Sequence, residues 1–240
     1  MMIAPNDVWI FTADLDTRGA QLSGDLGLLS GEEKARFERF KVETPARRFV
    51  AARAFLREVL ARIITTDSRS ISFVYGPEGK PSLADREGLS RIEFNLSHSA
   101  EFAVLAVTRG RTVGVDVEYV RDSVEVESLA KRFFSARERE SLLSLERGER
   151  QRSFFACWTR KEAYLKARGG GLTIPLDRFD VSLAPGETPC LLADRGDPDA
   201  PSSWQLHSLT LDPRAEAALA VAATTGENLS IQVNRSLRGA

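Results

Sequence analysis

Residues Val113–Tyr119 read VGVDVEY. As a strand, with side chains alternating across it, this stretch puts Val113, Val115, Val117 and Tyr119 on one face and Gly114, Asp116 and Glu118 on the other. One face is ready for a core, while the other sets two carboxylates side by side. Like charges that close cost free energy unless a cation, a proton or solvent relieves them. Taken alone, the D-x-E spacing is also what a solvated edge strand would carry.

A second segment, FFACWTRKEAYLKARGGG (residues 154–171), has helical spacing: Trp158, Glu162 and Lys166 recur every four residues and share one face. By itself this is a surface Glu-to-Lys pair. Set beside the strand, it offers a third carboxylate. Three oxygen donors without clustered Cys or His suit a hard cation such as Mg²⁺, which takes a few carboxylates plus waters and substrate phosphates. Lys166, one turn beyond Glu162, is placed to neutralise such a phosphate.

Two loops add candidates. NLSHSAE (Asn95–Glu101) is expected as a tight connection between strands at 92–96 and 102–108, where Ser97, His98 and backbone N–H groups could face an anion. GPEGKP (Gly76–Pro81) makes a turn with Lys80-Pro81 as a rigid cationic corner. A Ser-His hydrolase reading is disfavoured, because adjacent residues seldom align as nucleophile and base and no G-x-S-x-G is present. His207 reads as a strand histidine without a role, and no phosphate-binding glycine fingerprint occurs.

Around these segments, Val8–Ala13 predicts a strand, Ser30 caps a helix, and Pro45 restarts a long amphipathic one carrying Phe49, Ala52, Leu56, Leu60 and Ile63 inward. Further helices are expected at 124–134, after the capping box Ser135-x-x-Glu138, and at 153–168, ended by Gly169. Strands at 71–75, 178–183, 204–211, 217–224 and 230–233 complete the pattern, and 194–203 reads as a surface loop. EFAVLAVTRG (101–110) and EAALAVAATTG (216–226) resemble each other, which points to duplication.

With 240 residues, 42% of them hydrophobic, the chain can bury a sizeable core. Its 33 basic and 34 acidic residues leave a net charge of −1, which gives no field toward nucleic acid or an anionic membrane. Neither a secretory start nor an apolar run long enough to span a bilayer is present, and two cysteines, Cys157 and Cys190, are expected as buried thiols in a reduced, cytoplasmic protein.

Six segments in order, RRFVAARAFLR, GKPSL, FNLSHS, VGVDVEYV, KRFFS and FFACWTRKEAYLKARGGGL, closely resemble the Sfp-type 4′-phosphopantetheinyl transferases across Arg47–Leu172. The resemblance implies an α+β pseudodimer of two similar α/β subdomains, expected at 1–112 and 113–240, with a ligand cleft between them. It implies coenzyme A as substrate and an acyl or peptidyl carrier protein as partner; a pseudodimer can work as a monomer, and the charge balance leads us to expect neither nucleic acid nor membrane as a partner. Asp116, Glu118 and Glu162 match the family's Mg²⁺ ligands, with Glu162 and Lys166 catalytic. Arg48, Lys80, Pro81, Ser97 and His98 match positions around the nucleotide and its 3′-phosphate. Lys131, Arg132, Phe133 and Phe134 are expected to meet the carrier protein. One departure stands out: of the two cations the family often carries one helical turn apart, Arg36 matches the second, but Glu33 sits at the first, leaving Lys34 beside it as a substitute. Two other readings remain open, a Mg²⁺-dependent nucleotide phosphohydrolase and a non-catalytic binding protein.

Overall fold

The structure, a computed structural model, describes residues 3–84, 91–170 and 174–235. In chain order the elements are β1 (Asp7–Asp14), α1 (Leu15–Gly19), α2 (Leu22–Leu28), α3 (Gly31–Glu38), α4 (Glu43–Ile64), β2 (Phe73–Tyr75), β3 (Pro81–Leu83), β4 (Ile92–Ser99), β5 (Phe102–Arg109) and β6 (Val113–Tyr119). They continue with α5 (Val126–Phe133), α6 (Ala136–Ser144), α7 (Arg147–Arg168), β7 (Phe179–Val181), β8 (Leu191–Asp194), α8 (Ala200–Ser203), β9 (Trp204–Ser208), β10 (Ala215–Ala222) and β11 (Ser230–Arg235). The fold is mixed α+β, as expected from the sequence.

The described residues group into two compact units: one from Met1–Gly76, Pro81–Gly110 and Leu229–Ala240, the other from Pro77–Lys80 and Arg111–Asn228. The expected boundary at 112/113 is therefore corrected at the C-terminus. β11 pairs in parallel with β1, an association between the two ends of the chain that no local pattern announces, so the last strand belongs to the first unit.

In the first unit the sheet order is β11-β1-β5-β4, with α4 burying Ala52, Phe55, Leu56, Val59 and Leu60 against Trp9, Phe11, Phe94 and Leu105. In the second the order is β6-β10-β9, and α7 supplies Phe154, Tyr164 and Leu165 to a core that includes Ala218 and Ala220. Each unit taken by itself follows one plan: a first strand, a 22-residue helix (α4, α7), a two-stranded ribbon (β2-β3, β7-β8), then a strand pair whose last member inserts beside the first strand. The resembling segments 101–110 and 216–226 are those inserted strands, β5 and β10.

The repeat extends to a buried ionic device. Ser30 caps α3 through a capping box with Glu33, and Ser135 caps α6 through one with Glu138. Glu33 then accepts from Arg57 of α4 at 2.9 Å and from Arg53 at 2.5 Å, while Glu138 meets the fully buried Lys161 of α7 at 2.7 Å. Burial alone would raise the Glu33 pKa, but Arg53, the Ser30 amide and Arg57 together bring it below its ordinary value. Glu33 is thus the anchor of a helix pair rather than a lost cation site. Lys34 is exposed, and the Arg36 guanidinium lies 5.1 Å from the Phe49 ring centre.

What positions the acids is Gly114. A Cβ built there would overlap the carbonyl oxygen of Ala163 and the backbone of Ala167, so the glycine lets α7 lie directly on β6. The face of β6 carrying Asp116 and Glu118 is consequently the one under α7. Gly114→Ala is expected to lower Tm and to abolish activity together, since the obstacle is helix backbone that cannot rotate away. Overpacking of this kind costs about 1–3 kcal/mol or more, readable by thermal melts of the purified variant.

Candidate active site

From Ser153 onward α7 is buried on nearly every side. Between Ser153 and Ala167 only Trp158, Glu162 and Lys166 are partly exposed, the stripe that four-residue spacing predicted. The helix ends at Gly169, whose φ of 71° turns the chain into the left-handed region. Gly171 and Leu172 lie outside the described residues.

On β6, Asp116 is 3% exposed and its Oδ1 lies 2.5 Å from the ammonium of Lys166. Glu118 is half-buried, 3.9 Å from Arg121. Across the sheet, β10 places Glu216 directly opposite Glu118, and Arg152 of α7 holds Glu216 at 2.5 Å. Each of these three acids thus has its own basic neighbour. The Glu162 side chain makes no hydrogen bond or ion pair among the described residues. Burial pushes its pKa up, the Asp116 charge adds to this, Lys166 partly offsets it and Glu118 raises it further.

The donor chemistry fits a hard divalent cation: three carboxylates, Asp116, Glu118 and Glu162, with charges that act on one another and no thiol or imidazole between them. Among the described residues no three such side chains are already drawn into a cage, and the positive charge beside Asp116 is that of Lys166.

The remaining candidates are more dispersed. β4 runs straight through Ser97 and His98, and the chain turns only at Ala100, where φ is 49°. The expected loop is therefore strand, and alternation puts buried Ser97 and exposed His98 on opposite faces of β4. Arg48 grips Asp16 in a two-pronged pair of 2.7 and 2.6 Å with Glu101 at 3.6 Å, which holds its pKa above the ordinary value. Lys80 donates to the carbonyls of Val113 at 3.1 Å and Ala167 at 2.9 Å, tying the start of β6 to the end of α7. Pro81 opens β3 opposite Tyr75. Lys131 and Arg132 are exposed, but Phe134 is core, stacked on Phe154, and Phe133 is half-buried edge-on to Trp158. Cys157 is fully buried while Cys190 is partly exposed, and burial lowers the pKa of half-buried His207.

Arg121, Arg152 and Glu216 escaped the sequence reading. The first turns of α7, RGERQR, lack apolar periodicity, so nothing marked Arg152 as helical or Glu216 as its partner.

Two family models cover nearly the whole chain: the 4′-phosphopantetheinyl transferase superfamily over residues 112–222 and the 4′-phosphopantetheinyl transferase N-terminal region over 17–110. The 4′-phosphopantetheinyl transferase HetI of Nostoc sp. is 40% identical over 92% of this chain and 90% of its own. The 4′-phosphopantetheinyl transferase Sfp of Bacillus subtilis is 31% identical over 82% of this chain and 84% of its own. By these relationships, with which the acidic strand face agrees, the chain belongs to the Sfp-type 4′-phosphopantetheinyl transferases.

Proposed function

We propose that the chain transfers the 4′-phosphopantetheine arm of coenzyme A to a serine of an acyl or peptidyl carrier protein. Besides the family relationship, the observation that carries this reading is the pressing of Asp116 and Glu118 against the half-open stripe of Glu162 and Lys166. Asp116, Glu118 and Glu162 would hold Mg²⁺, which when bound offsets charge on the pyrophosphate as a Lewis acid. The carrier serine oxygen attacks the phosphorus that bears the pantetheine arm, the bond to the bridging oxygen breaks, and 3′,5′-ADP departs. Glu162, directly or through a water, is the proposed acceptor of the serine proton. Lys166, one turn away, neutralises the phosphate that leaves.

For the nucleotide, the resemblance supports Arg48, Lys80, Pro81, Ser97 and His98. Arg48 reaches a phosphate by exchanging Asp16 and Glu101 for it. Lys80 contributes first as the clasp of β6 and α7. No described helix is long and apolar enough to cross a membrane. A cytoplasmic monomer completes the proposal, supported by two free thiols and by one chain supplying both repeats.

For the carrier protein, α5 and α6 border a groove of about 610 Å³ lined by Ala130, Lys131, Arg139, Leu142 and Leu143 together with Glu127 and Glu140, with Leu143 51% exposed. The lining is of mixed charge, so the attraction for an acidic amphipathic helix rests on Lys131 together with the neighbouring exposed Arg132, and the apolar floor supplies the rest. Reversing Lys131 and Arg132 to Glu is expected to raise KM for carrier protein about tenfold, or ~1.4 kcal/mol, with KM for coenzyme A unchanged in steady-state assays. Equal effects on both substrates would exclude docking there.

The reaction itself is read by intact-protein mass spectrometry of an apo carrier protein incubated with the chain and coenzyme A. The expected result is a gain of one phosphopantetheine, lost with a chelator and with Asp116→Ala. Cleavage of coenzyme A without carrier modification would instead indicate a phosphohydrolase, and binding without cleavage a non-catalytic protein.

Glu162→Gln gives a separate check on the electrostatics. A carboxyl whose folded pKa is raised destabilises the fold once it ionises, so the variant should melt above the wild type at neutral pH. The difference should shrink as pH falls below the ordinary carboxyl range, where both side chains are neutral. A variant that melts lower at pH 7 would contradict the crowding of charge described for this site.

A further inference from the structure

In the antiparallel β6-β10 pair, Glu216 stands directly across from Glu118. Residues opposed in this way leave the sheet on the same face with Cβ atoms about 4.5–5.5 Å apart, and that face is the one α7 covers at Gly114. A fourth carboxylate therefore originates beside the proposed cation site. Its side chain is turned toward α7 instead: Arg152 Nη1 lies 2.5 Å from Glu216 Oε1, and Arg152 Nη2 donates to the Pro213 carbonyl at 2.7 Å. The second bond fixes the guanidinium to the turn leading into β10. With Arg152 54% exposed and Glu216 17%, the pair adds little stability, and its consequence is positional.

We propose that Arg152 is a positioning residue that sets the carboxylate count of the cation site, holding Glu216 aside so that three acids rather than four face the metal. This rests on the Mg²⁺ reading given above. The count matters because octahedral Mg²⁺ must keep positions for substrate phosphate and water beside its carboxylates, whereas Ca²⁺ accommodates six to eight oxygens in flexible geometry. Freed Glu216 would add an oxygen donor and a negative charge, which favours Ca²⁺ and removes room for the substrate phosphate. Arg152 thus helps select the metal without touching it.

The test is calorimetric titration of Mg²⁺ and of Ca²⁺ into the full chain saturated with coenzyme A, for wild type, Arg152→Met, Arg152→Met with Glu216→Gln, and Asp116→Asn. Arg152→Met is expected to raise the Ca²⁺-over-Mg²⁺ affinity ratio about tenfold, and adding Glu216→Gln should restore the wild-type ratio. An unchanged ratio in Arg152→Met, or a shift that persists in the double variant, overturns the proposal. Wild type and Asp116→Asn taking up Mg²⁺ equally, or no uptake by either, would instead remove the cation reading on which it rests.

Discussion

The rest of the site depends on one close approach, the backbone of α7 lying on β6 at Gly114. There the helix comes so near the strand that no side chain fits between them. Two residues along β6, Asp116 is consequently sealed under the helix at 3% exposure, and Lys166 is near enough to pair with it at 2.5 Å. Burying a carboxylate is costly unless a charge or proton answers it. Lys166 supplies that answer on one side, while Glu162 has no such partner among the described residues and is pushed toward its neutral form. The arrangement holds more negative charge than its own cations balance, which is the condition under which a divalent cation and a pyrophosphate are both welcome.

A second constraint acts through the repeat. In both units a serine-capped helix delivers a glutamate to a cation on the long helix: Glu33 to Arg57, and Glu138 to Lys161. Lys161 also donates to the carbonyls of Leu176 and Phe179, and Glu138 accepts from the Val181 amide, so in the second unit the device fixes α7, α6 and β7 together. Removing one partner of such a buried pair strands the other, which makes these anchors more demanding than surface pairs. The active stripe of α7 is therefore held from two directions, by Gly114 beneath it and by Lys161 beside it.

Much of this was legible because it is local. Period-two alternation in VGVDVEY, four-residue spacing of Trp158, Glu162 and Lys166, the Ser30 cap and the Ser135-x-x-Glu138 capping box are patterns a few residues long, and each appears in the fold. What stayed hidden is long-range. The pairing of β11 with β1, the continuation of β4 through Ser97 and His98 without a Gly or Pro to mark its turn, and the Arg152–Glu216 pair across 64 residues are set by tertiary partners. Lys80 stood out as a cation for phosphate, yet its head group lies on two backbone carbonyls. Phe134 was legible as aromatic but not as buried, because short helices such as α5 can turn either face inward.

The most direct measurement is a crystal structure of the chain with coenzyme A and Mg²⁺. The account predicts a divalent cation held by Asp116, Glu118 and Glu162 at metal-oxygen distances of about 2.1 Å, with the Lys166 ammonium moved from Asp116 to a phosphate of coenzyme A. A structure in which Lys166 stays on Asp116 while coenzyme A and its cation are held by other residues would contradict it.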